Sequence, residues 1–350
     1  MDWVRGRTLG SGSFATVYLA TSAHHHHHHH PHYFPPLFAV KTTYHASTSS
    51  SLVNENQILQ SLQPSPHIIK SFGFERTVEK GEDCCNMFLE YAHGGTLYDH
   101  MKKKHVGGKF PESKVRHYTK SILEGLNHVH VKGFVHCDIK LQNILIFEND
   151  VVKIADFGLA KKAGEGEEQS KRCECRGTPM FMSPELFNSN EHEPPADIWA
   201  LGCAVVEMVT GEPAWDLGPN TNMWALLVRI GMSDEIPKIP PELSERGKDF
   251  LRKCFVKDPT KRFTAEMLLK HPFVSGDDTV SMKLLNNEPI TISPKSHLDK
   301  FPHWVSTVTT VVPSSPSSTS SSLAADRLRQ LVTEETLQDW SDSEGWGNVR

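Results

Sequence analysis

The stretch VHCDIKLQN, residues 135–143, brings together five side chains of catalytic types: His136, Cys137, Asp138, Lys140 and Asn143. The neighbouring imidazole and thiol are the pair that a cysteine nucleophile and its base require. The same two groups bind metal ions. The carboxylate, ammonium and amide that follow are the types that orient a hydroxyl and balance phosphate charge in phosphoryl transfer. This stretch alone leaves all three chemistries open.

A second candidate is the glycine-containing turn GSGSFATV, residues 10–17. Glycines let backbone amides approach phosphate oxygens because no Cβ stands in the way. An ordinary hairpin turn has the same residues, and Ala15 stands where a third glycine is usual in such turns. A dinucleotide-binding turn requires a helix directly afterwards, and YLATSA does not predict one.

Lys41 lies at the end of the predicted strand LFAVKT, and the next segment contains a possible ionic partner for it. In SLVNENQILQSL, Glu55 recurs with Ile58, Leu59 and Leu62 at helical spacing, so this carboxylate shares the apolar face of the predicted helix. A carboxylate on an inward face needs a partner. We expect Lys41 to pair with Glu55, which would hold the ammonium against nucleotide phosphates.

The elements around these residues change character along the chain. Strand patterns fill residues 1–43, interrupted by the histidine run 24–30, which is interpreted as a low-complexity loop insertion rather than a metal-binding or tag sequence. Residues 96–274 are mostly helical in pattern. After about Gly276 the chain is rich in Ser and Pro, which predicts disorder, and 323–337 predicts one amphipathic helix. The fold class is therefore α+β, with a small β-rich lobe, a larger helical lobe and a largely disordered tail.

Composition limits the class of protein. The 350 residues are 38% hydrophobic and 23% charged, with a formal net charge of -5, so no nucleic-acid or membrane partner is expected. No apolar run reaches membrane-spanning length, and the first residues do not predict a secretory signal. Seven cysteines without framework spacing are typical of a reducing interior. We expect a soluble intracellular protein.

Further motifs follow in a fixed order and carry a resemblance. DFG at 156–158 lies inside VKIADFGLAK, GTPMFMSPE occupies 177–185, and PADIWALGC and DPTKRFTAEMLLKHPF come later. Together with the glycine turn, Lys41 and HCDIKLQN, these motifs resemble the protein kinases over residues 3–274. The resemblance implies a bilobal kinase fold with an N-lobe of about 3–88, a hinge at 89–93 and a C-lobe of 94–274.

The resemblance also implies roles for individual residues, with ATP and Mg²⁺ as cofactors. The implied catalytic residues are Lys41, Asp138 as the base, Lys140 and Asn143, and the implied metal ligands are Asn143 and Asp156. The nucleotide would contact Leu9, Gly10, Ser11, Gly12, Ser13, Phe14, Ala15, Thr16, Val17, Ala39, Lys41, Glu90, Ala92 and Leu145, with Leu89 as the gatekeeper residue before Glu90 and Ala92. Structural or regulatory roles fall to Glu55, Cys137, Thr178, Glu185, Asp197 and Arg262.

Cys137 stands where most kinases carry an arginine that binds an activation-loop phosphate. A neutral thiol cannot form that charge-assisted pair, so we expect alignment of Asp138 not to depend strongly on such a phosphate. The loop is explained without a nucleophile, and Cys173-x-Cys175 is too distant and too sparse to complete a zinc site. Thr178 is expected to contact Asp138 and Lys140 rather than to serve as a regulatory phosphorylation site.

GTPMFMSPE is similar to the GTPxxM(A/S)PE signature of MEKK-like MAP kinase kinase kinases and related kinases, and FLEYAHGGTL and PADIWALGCAVVEM look most like the plant MEKK-like group. This resemblance implies phosphorylation of a MAP kinase kinase on its activation loop, in a stress or hormone cascade. Alternatives are a serine/threonine kinase outside that cascade and a pseudokinase scaffold. The scaffold predicts loss of Lys41, Asp138, Asn143 or Asp156, and all four are present.

The tail, residues 275–350, is interpreted as a regulatory or docking segment. Ser293 and Ser315 each precede a proline, which would suit a proline-directed kinase. Leu328, Leu331 and Leu337 would form the contact face of the 323–337 helix. We expect a cytoplasmic location, with the nucleus as an additional one.

Overall fold

The computed structural model describes residues 3–12, 15–22, 35–44, 46–79, 81–164, 177–188, 192–216 and 222–276. Several predictions fall on positions outside these ranges: Ser13, Phe14, the histidines 24–30, Cys173, Cys175, and the tail from 277, with Ser293, Ser315 and the 323–337 helix.

The N-terminal lobe is built on a five-stranded antiparallel sheet with strand order β1-β2-β3-β5-β4. Its strands are β1 (Trp3–Ser11), β2 (Thr16–Ser22), β3 (Leu37–Thr43), β4 (Ser71–Glu79) and β5 (Glu82–Glu90). The β-branched and aromatic sequence of β3 fits the middle of a sheet that is covered on both faces, and Phe38, Ala39 and Val40 are all buried. Lys41 lies opposite Val17 on β2 and Met87 on β5, near the centre of the sheet.

Helix α1 (Ala46–Ser61) packs against the sheet, mainly on β4 and β5. Its buried face contains Glu55, Ile58 and Leu59, and Leu62 just after the helix is also buried. The helical periodicity predicted this face, including the carboxylate among apolar neighbours.

The C-terminal lobe is mainly helical, as the sequence predicts. Its helices are α2 (Leu97–Lys104), α3 (Glu112–Val131), α4 (Glu185–Asn188), α5 (Pro194–Thr210), α6 (Met223–Met232), α7 (Glu245–Cys254), α8 (Ala265–Leu269) and α9 (Pro272–Ser275). Helix α5 is buried from Ala196 to Val209 and packs against α3 and α7, so it is the central helix of this lobe. Such a helix can be apolar on all sides because no face meets water.

Two short antiparallel ribbons carry the polar loops of the helical lobe. Strand β6 (Phe134–Val135) pairs with β9 (Lys161–Lys162), and β7 (Ile144–Ile146) pairs with β8 (Val152–Ile154). The 136–143 loop therefore lies between β6 and β7, and Asp156 lies two residues after the end of β8. This arrangement brings VHCDIKLQN and DFG to the same place.

The lobes meet along β8. The Ile154 amide donates to the His67 carbonyl at 2.8 Å, and the Ile69 amide donates to the Ile154 carbonyl at 2.9 Å. One apolar core runs through both lobes and includes Leu59 and Met87 on one side and Leu126 and Trp199 on the other. The predicted two-lobed α+β architecture is confirmed.

Candidate active site

Three charged side chains from different elements meet at the boundary between the lobes. The Lys41 ammonium on β3 lies 2.9 and 2.7 Å from the two carboxylate oxygens of Glu55 on α1. It also lies 2.8 Å from one oxygen of Asp156, which follows β8. The pairing of Lys41 with Glu55 that the sequence predicts is therefore present, and Lys41 links both lobes.

The electrostatic environment keeps this cluster ionised at Lys41 and Asp156. Burial opposes the charge of Lys41, but the carboxylates of Asp156 and Glu55 outweigh burial and raise the pKa of this ammonium above its usual range. The charge of Lys41 holds the pKa of Asp156 below its usual range. Burial raises the pKa of Glu55, with Lys41 acting in the opposite direction. The cluster is thus an anchored cation beside a half-exposed carboxylate.

Asp138 is held by three neighbours from the 136–143 loop and the 177–185 segment. One carboxylate oxygen accepts a hydrogen bond from the Thr178 hydroxyl at 2.7 Å. The other lies 2.7 Å from the Lys140 ammonium and 2.9 Å from the Asn143 amide nitrogen. Lys140 also donates to the Thr178 hydroxyl at 2.8 Å. The contacts expected of Thr178 are therefore present.

Gly177 makes this approach possible. Its φ of +101° is unfavourable for residues with a side chain, and a Cβ at this position would lie 2.5 Å from the Cys137 carbonyl oxygen. The backbone of the 177–185 segment can therefore pass directly over the 136–143 loop, which puts Thr178 next to Asp138.

The first turn of α5 fixes the backbone of the 136–143 loop. Asp197 accepts hydrogen bonds from the His136 amide at 2.9 Å and the Cys137 amide at 3.0 Å, and its carboxylate also contacts the His130 ring at 2.9 Å. Cys137 has a φ of +68°, a conformation that costs energy for a non-glycine residue. These bonds to a buried carboxylate offset that cost and hold the turn before Asp138.

His136 is committed to structural contacts and does not serve as a base for Cys137. Its Nδ1 accepts from the Asp138 amide at 3.2 Å, so its Nε2 carries the proton and donates to the Ala155 carbonyl at 3.1 Å. The ring also packs edge-on against Phe157, with centroids 4.7 Å apart. The geometry therefore does not support the cysteine-nucleophile interpretation.

Phe157 connects the two clusters. Its side chain is fully buried and its amide donates to Glu55 at 3.2 Å. Glu55 thus holds both Lys41 and the DFG backbone, and Phe157 holds His136. This chain of contacts joins α1 in one lobe to the 136–143 loop in the other.

The two ends of the glycine turn are joined to each other. The Gly12 amide donates to the Ala15 carbonyl at 2.9 Å, and the Ser11 and Thr16 hydroxyls lie 3.2 Å apart. Leu9 and Ala39 belong to the buried core, while Val17 and Leu145 are partly buried against it. Gly10 lies opposite Val17 in the β1–β2 pair. These apolar side chains come from both lobes and could enclose a flat ring.

The predicted hinge, residues 89–93, overlaps the last two residues of β5. The Glu90 carboxylate accepts from the Lys153 ammonium at 2.7 Å and from the Lys70 amide at 2.6 Å. The Glu90 amide donates to the Lys70 carbonyl at 3.0 Å, and the Ala92 carbonyl accepts from Gly95 at 3.2 Å. The side chain of Glu90 is therefore structural, and the role of Glu90 and Ala92 backbone groups towards a nucleotide stays a prediction.

Glu185 and Arg262 form a buried ion pair below the site. Two guanidinium nitrogens donate to the two Glu185 oxygens at 2.6 and 2.9 Å. Arg262 also donates to the carbonyls of Pro195, Val256 and Lys257, and it lies over the Trp199 ring. The pair ties the end of the 177–185 segment to α5 and to the turn before α8.

The donor set at the site suits a divalent cation such as Mg²⁺. Asn143 donates from its amide nitrogen to Asp138, which leaves its carbonyl oxygen as the acceptor, and Asp156 keeps one oxygen away from Lys41. Hard oxygen ligands of this kind fit Mg²⁺, which usually takes few protein ligands together with phosphate oxygens. In the described part of the chain, no group of three or more His, Cys, Asp or Glu residues has metal-binding geometry.

Some residues of the site were not singled out from the sequence: His130 and Phe157, which position the catalytic-type residues, and Lys153, which binds Glu90. His136 was named from the sequence as a candidate base, but its positioning role was not predicted. His136 and Phe157 lie inside the quoted motifs, whereas nothing in the sequence near His130 or Lys153 indicates partners more than 60 residues away.

Comparison with known proteins agrees with this geometry. The family model for the protein kinase domain matches residues 3–274. The chain is 48% identical to mitogen-activated protein kinase kinase kinase 20 of Arabidopsis thaliana, in an alignment that covers all of both chains. It is 41% identical to kinase kinase kinase 18 of that plant over 84% of each chain, and 39% identical to kinase kinase kinase 17 over 84% of this chain and 76% of the relative. The chain belongs to the protein kinase family and is a serine/threonine protein kinase.

Proposed function

We propose that this serine/threonine protein kinase is a MAP kinase kinase kinase, which uses Mg²⁺-ATP to phosphorylate serine or threonine in the activation loop of a MAP kinase kinase. One observation carries the proposal: the similarity to Arabidopsis kinase kinase kinase 20 extends over the full length of both chains and not only over the kinase domain. The presence of Lys41, Asp138, Asn143 and Asp156 at one site supports an active enzyme.

The geometry supports a task for each residue in this reaction. Lys41, anchored by Glu55, would bind phosphate oxygens of ATP. Asp138 would accept the hydrogen bond of the substrate hydroxyl and orient it, and Lys140 would balance charge on the transferred group. Asn143 and Asp156 would hold the metal ion, which supplies charge neutralisation on the phosphates.

The remaining parts of the proposal concern partners and location. The segment 323–337 would dock a partner through Leu328, Leu331 and Leu337, and deletion of this segment should weaken partner pull-down without lowering activity on a generic peptide. The kinase would act in the cytoplasm or nucleus, in a stress or hormone cascade. In the described ranges no helix is long and apolar enough to cross a bilayer.

The decisive test is an in vitro assay of the full chain against a panel of MAP kinase kinases, with Asp138→Asn as the matched control. We expect phosphate on activation-loop serine or threonine of at least one panel member, mapped by mass spectrometry, and none with the control. Transfer to a generic peptide without transfer to any MAP kinase kinase would show a kinase outside the cascade. Signal from the control would indicate a contaminating kinase.

A further inference from the structure

The activation segment starts at Asp156, and the structure holds its first part at successive points. Strand β9 pairs with β6, with Lys161 opposite Val135. The Ala163 amide then donates to the Gly133 carbonyl at 2.8 Å. The Gly164 amide donates to both carboxylate oxygens of Glu193, at 3.0 and 3.3 Å. Gly164 is the last described residue before Gly177, so Glu193 holds the point where the described part of the segment ends.

Glu193 occupies the N-cap position of α5, yet its side chain makes no capping hydrogen bond to that helix. The next two residues, Pro194 and Pro195, have no amide hydrogen to donate, and the Ala196 amide donates to the backbone carbonyl of Glu193 at 2.8 Å. Here the carboxylate turns to the activation segment, where it also lies 3.9 Å from the Lys161 ammonium. The Lys161 side chain is 15% exposed and that of Glu193 is 35% exposed, so water screens this contact only in part.

The first turn of α5 also binds the loop that carries Asp138. Asp197 lies four residues after Glu193 and binds the amides of His136 and Cys137 before the catalytic Asp138. The N-terminus of α5 therefore carries two carboxylates. One binds the 136–143 loop, which is the catalytic loop, and the other binds the activation segment. Any shift of this turn would move both loops together.

Charge explains why a carboxylate is useful here. Ordering of an activation loop by phosphate relies on a cation that binds it, and position 137 supplies a thiol instead of a guanidinium. The ammonium of Lys161 already forms an ion pair with the Glu193 carboxylate. The contact at Gly164 also shortens the connection that leads to Gly177. A shorter connection lowers the entropy cost of holding Gly177 and Thr178 against the 136–143 loop.

We propose that Glu193 is a positioning residue that takes the place of an activation-loop phosphate: its carboxylate anchors the activation segment to α5 in the unphosphorylated kinase. The inference rests on kinase activity and not on the MAP kinase kinase substrate. It deepens the proposed function by stating how the same site is kept in order without modification.

The test compares wild type with Glu193→Ala, both produced with a phosphatase and shown by mass spectrometry to carry no phosphate. Two quantities are measured for each protein: the turnover of a generic serine/threonine peptide and the affinity for ATP. We expect the wild type to be active and the variant to lose roughly tenfold in kcat, with unchanged ATP affinity, as loss of one charge-assisted anchor predicts. Glu235→Ala, which removes an exposed ion pair with Arg229, is the matched control and should keep wild-type kcat.

Hydrogen exchange separates positioning from folding. In Glu193→Ala, amides of residues 158–164 should exchange roughly tenfold faster, while those of residues 196–210 stay protected as in the wild type. Glu193→Gln keeps an acceptor for Gly164 but not the charge near Lys161, so its kcat should lie between the two. Equal kcat and exchange in unphosphorylated wild type and Glu193→Ala would overturn the inference, as would an unphosphorylated wild type that is inactive until it is phosphorylated. Failure with every MAP kinase kinase, alongside these peptide results, would reject only the substrate assignment.

Discussion

At the scale of single residues, the position of the Asp138 carboxylate is fixed by neighbours on both oxygens. Thr178 binds one oxygen, and Lys140 and Asn143 bind the other, all within 2.9 Å. Groups held this way need little reorganisation when the substrate hydroxyl arrives, which is the main protein contribution to phosphoryl transfer. Thr178 is the only one of these partners that comes from the activation segment, so it reports whether that segment is in place.

Replacement of Thr178 tests this arrangement. Thr178→Val removes the bonds to Asp138 and Lys140 at nearly constant volume, and kcat on a generic peptide should fall roughly 10- to 100-fold with little change in ATP affinity. Thr178→Ser keeps the hydroxyl and should retain most activity. Thr178→Glu should be inactive, because it sets a second carboxylate against Asp138. An activated Thr178→Glu variant would instead support a regulatory phosphorylation site.

A second residue-scale prediction concerns Glu207 on α5. This side chain is 1% exposed, and its Oε2 has no hydrogen-bond partner. Burial raises the pKa of Glu207 to about 7, with Lys102 acting in the opposite direction. The folded state therefore keeps a proton that the unfolded chain releases at its ordinary carboxyl pKa. Stability is lost as pH rises from that value through about 7, and the loss levels off at higher pH.

Glu207→Gln removes this titration without changing the shape of the side chain. The free energy of unfolding of the variant relative to wild type should increase by about 2 kcal/mol between pH 5 and pH 8. Urea unfolding at the two pH values measures the difference. A constant difference between the variant and wild type across this range would show that Glu207 does not titrate there.

Sequence reasoning at the residue scale succeeds where local pattern and chemistry coincide. Helical spacing puts Glu55 among Ile58 and Leu59, so its need for a cation is visible, and Lys41 is the nearby strand lysine. The partners of Asp197 lie some 60 residues before it, and the contact of Glu193 with Gly164 depends on how β9 packs. No local periodicity encodes such contacts, so they emerge only from the fold.

At the scale of elements, α5 is the common support of the site. Its N-terminal turn binds the catalytic loop through Asp197, and the buried pair Glu185–Arg262 fastens the end of the activation segment beside it. Arg262 has no exposed side-chain surface and spreads its donors over one carboxylate and three carbonyls. A lysine could not replace Arg262, because only the planar guanidinium presents five donors in this arrangement.

Loss of Arg262 should therefore be costly. Arg262→Met leaves the Glu185 carboxylate buried without its partner, and the free energy of unfolding should fall by roughly 3–5 kcal/mol. Urea unfolding measures this, and adding Glu185→Gln should recover part of the loss because no charge then remains buried. Lys270→Met, which breaks an exposed ion pair with Glu266, should leave stability unchanged. An effect of Arg262→Met no larger than that of the control would contradict the role given to the pair.

Element boundaries show a limit of pattern reasoning. The stretch TAEMLLKHPF has a continuous apolar pattern, but the structure divides it into α8 (Ala265–Leu269) and α9 (Pro272–Ser275). Pro272 has no amide to donate and occupies a first-turn position, so it begins a new helix rather than continuing the old one. The imidazole of His271 accepts from the Phe273 amide and caps that start. The apolar pattern continues across the break because both short helices face the same core.

At the scale of the whole molecule, polar contacts join the lobes both at the site and away from it, as where the Ile154 amide donates to the His67 carbonyl. Lys41 reaches Asp156, and the amide of Phe157 reaches Glu55, so an intact site requires the two lobes to be closed on one another. The two-lobed α+β plan follows from strand and helix patterns in the sequence. The closure follows from side chains that meet only when both lobes are folded.

Calorimetric titration with ATP, with and without Mg²⁺, tests the central claim that Lys41, Asn143 and Asp156 surround a metal-bound triphosphate. The wild type should bind ATP more tightly when Mg²⁺ is present, and Asp156→Asn should lose that metal dependence while its fold, followed by circular dichroism, is unchanged. No ATP binding by the folded wild type, or equal affinity with and without the metal, would contradict the account.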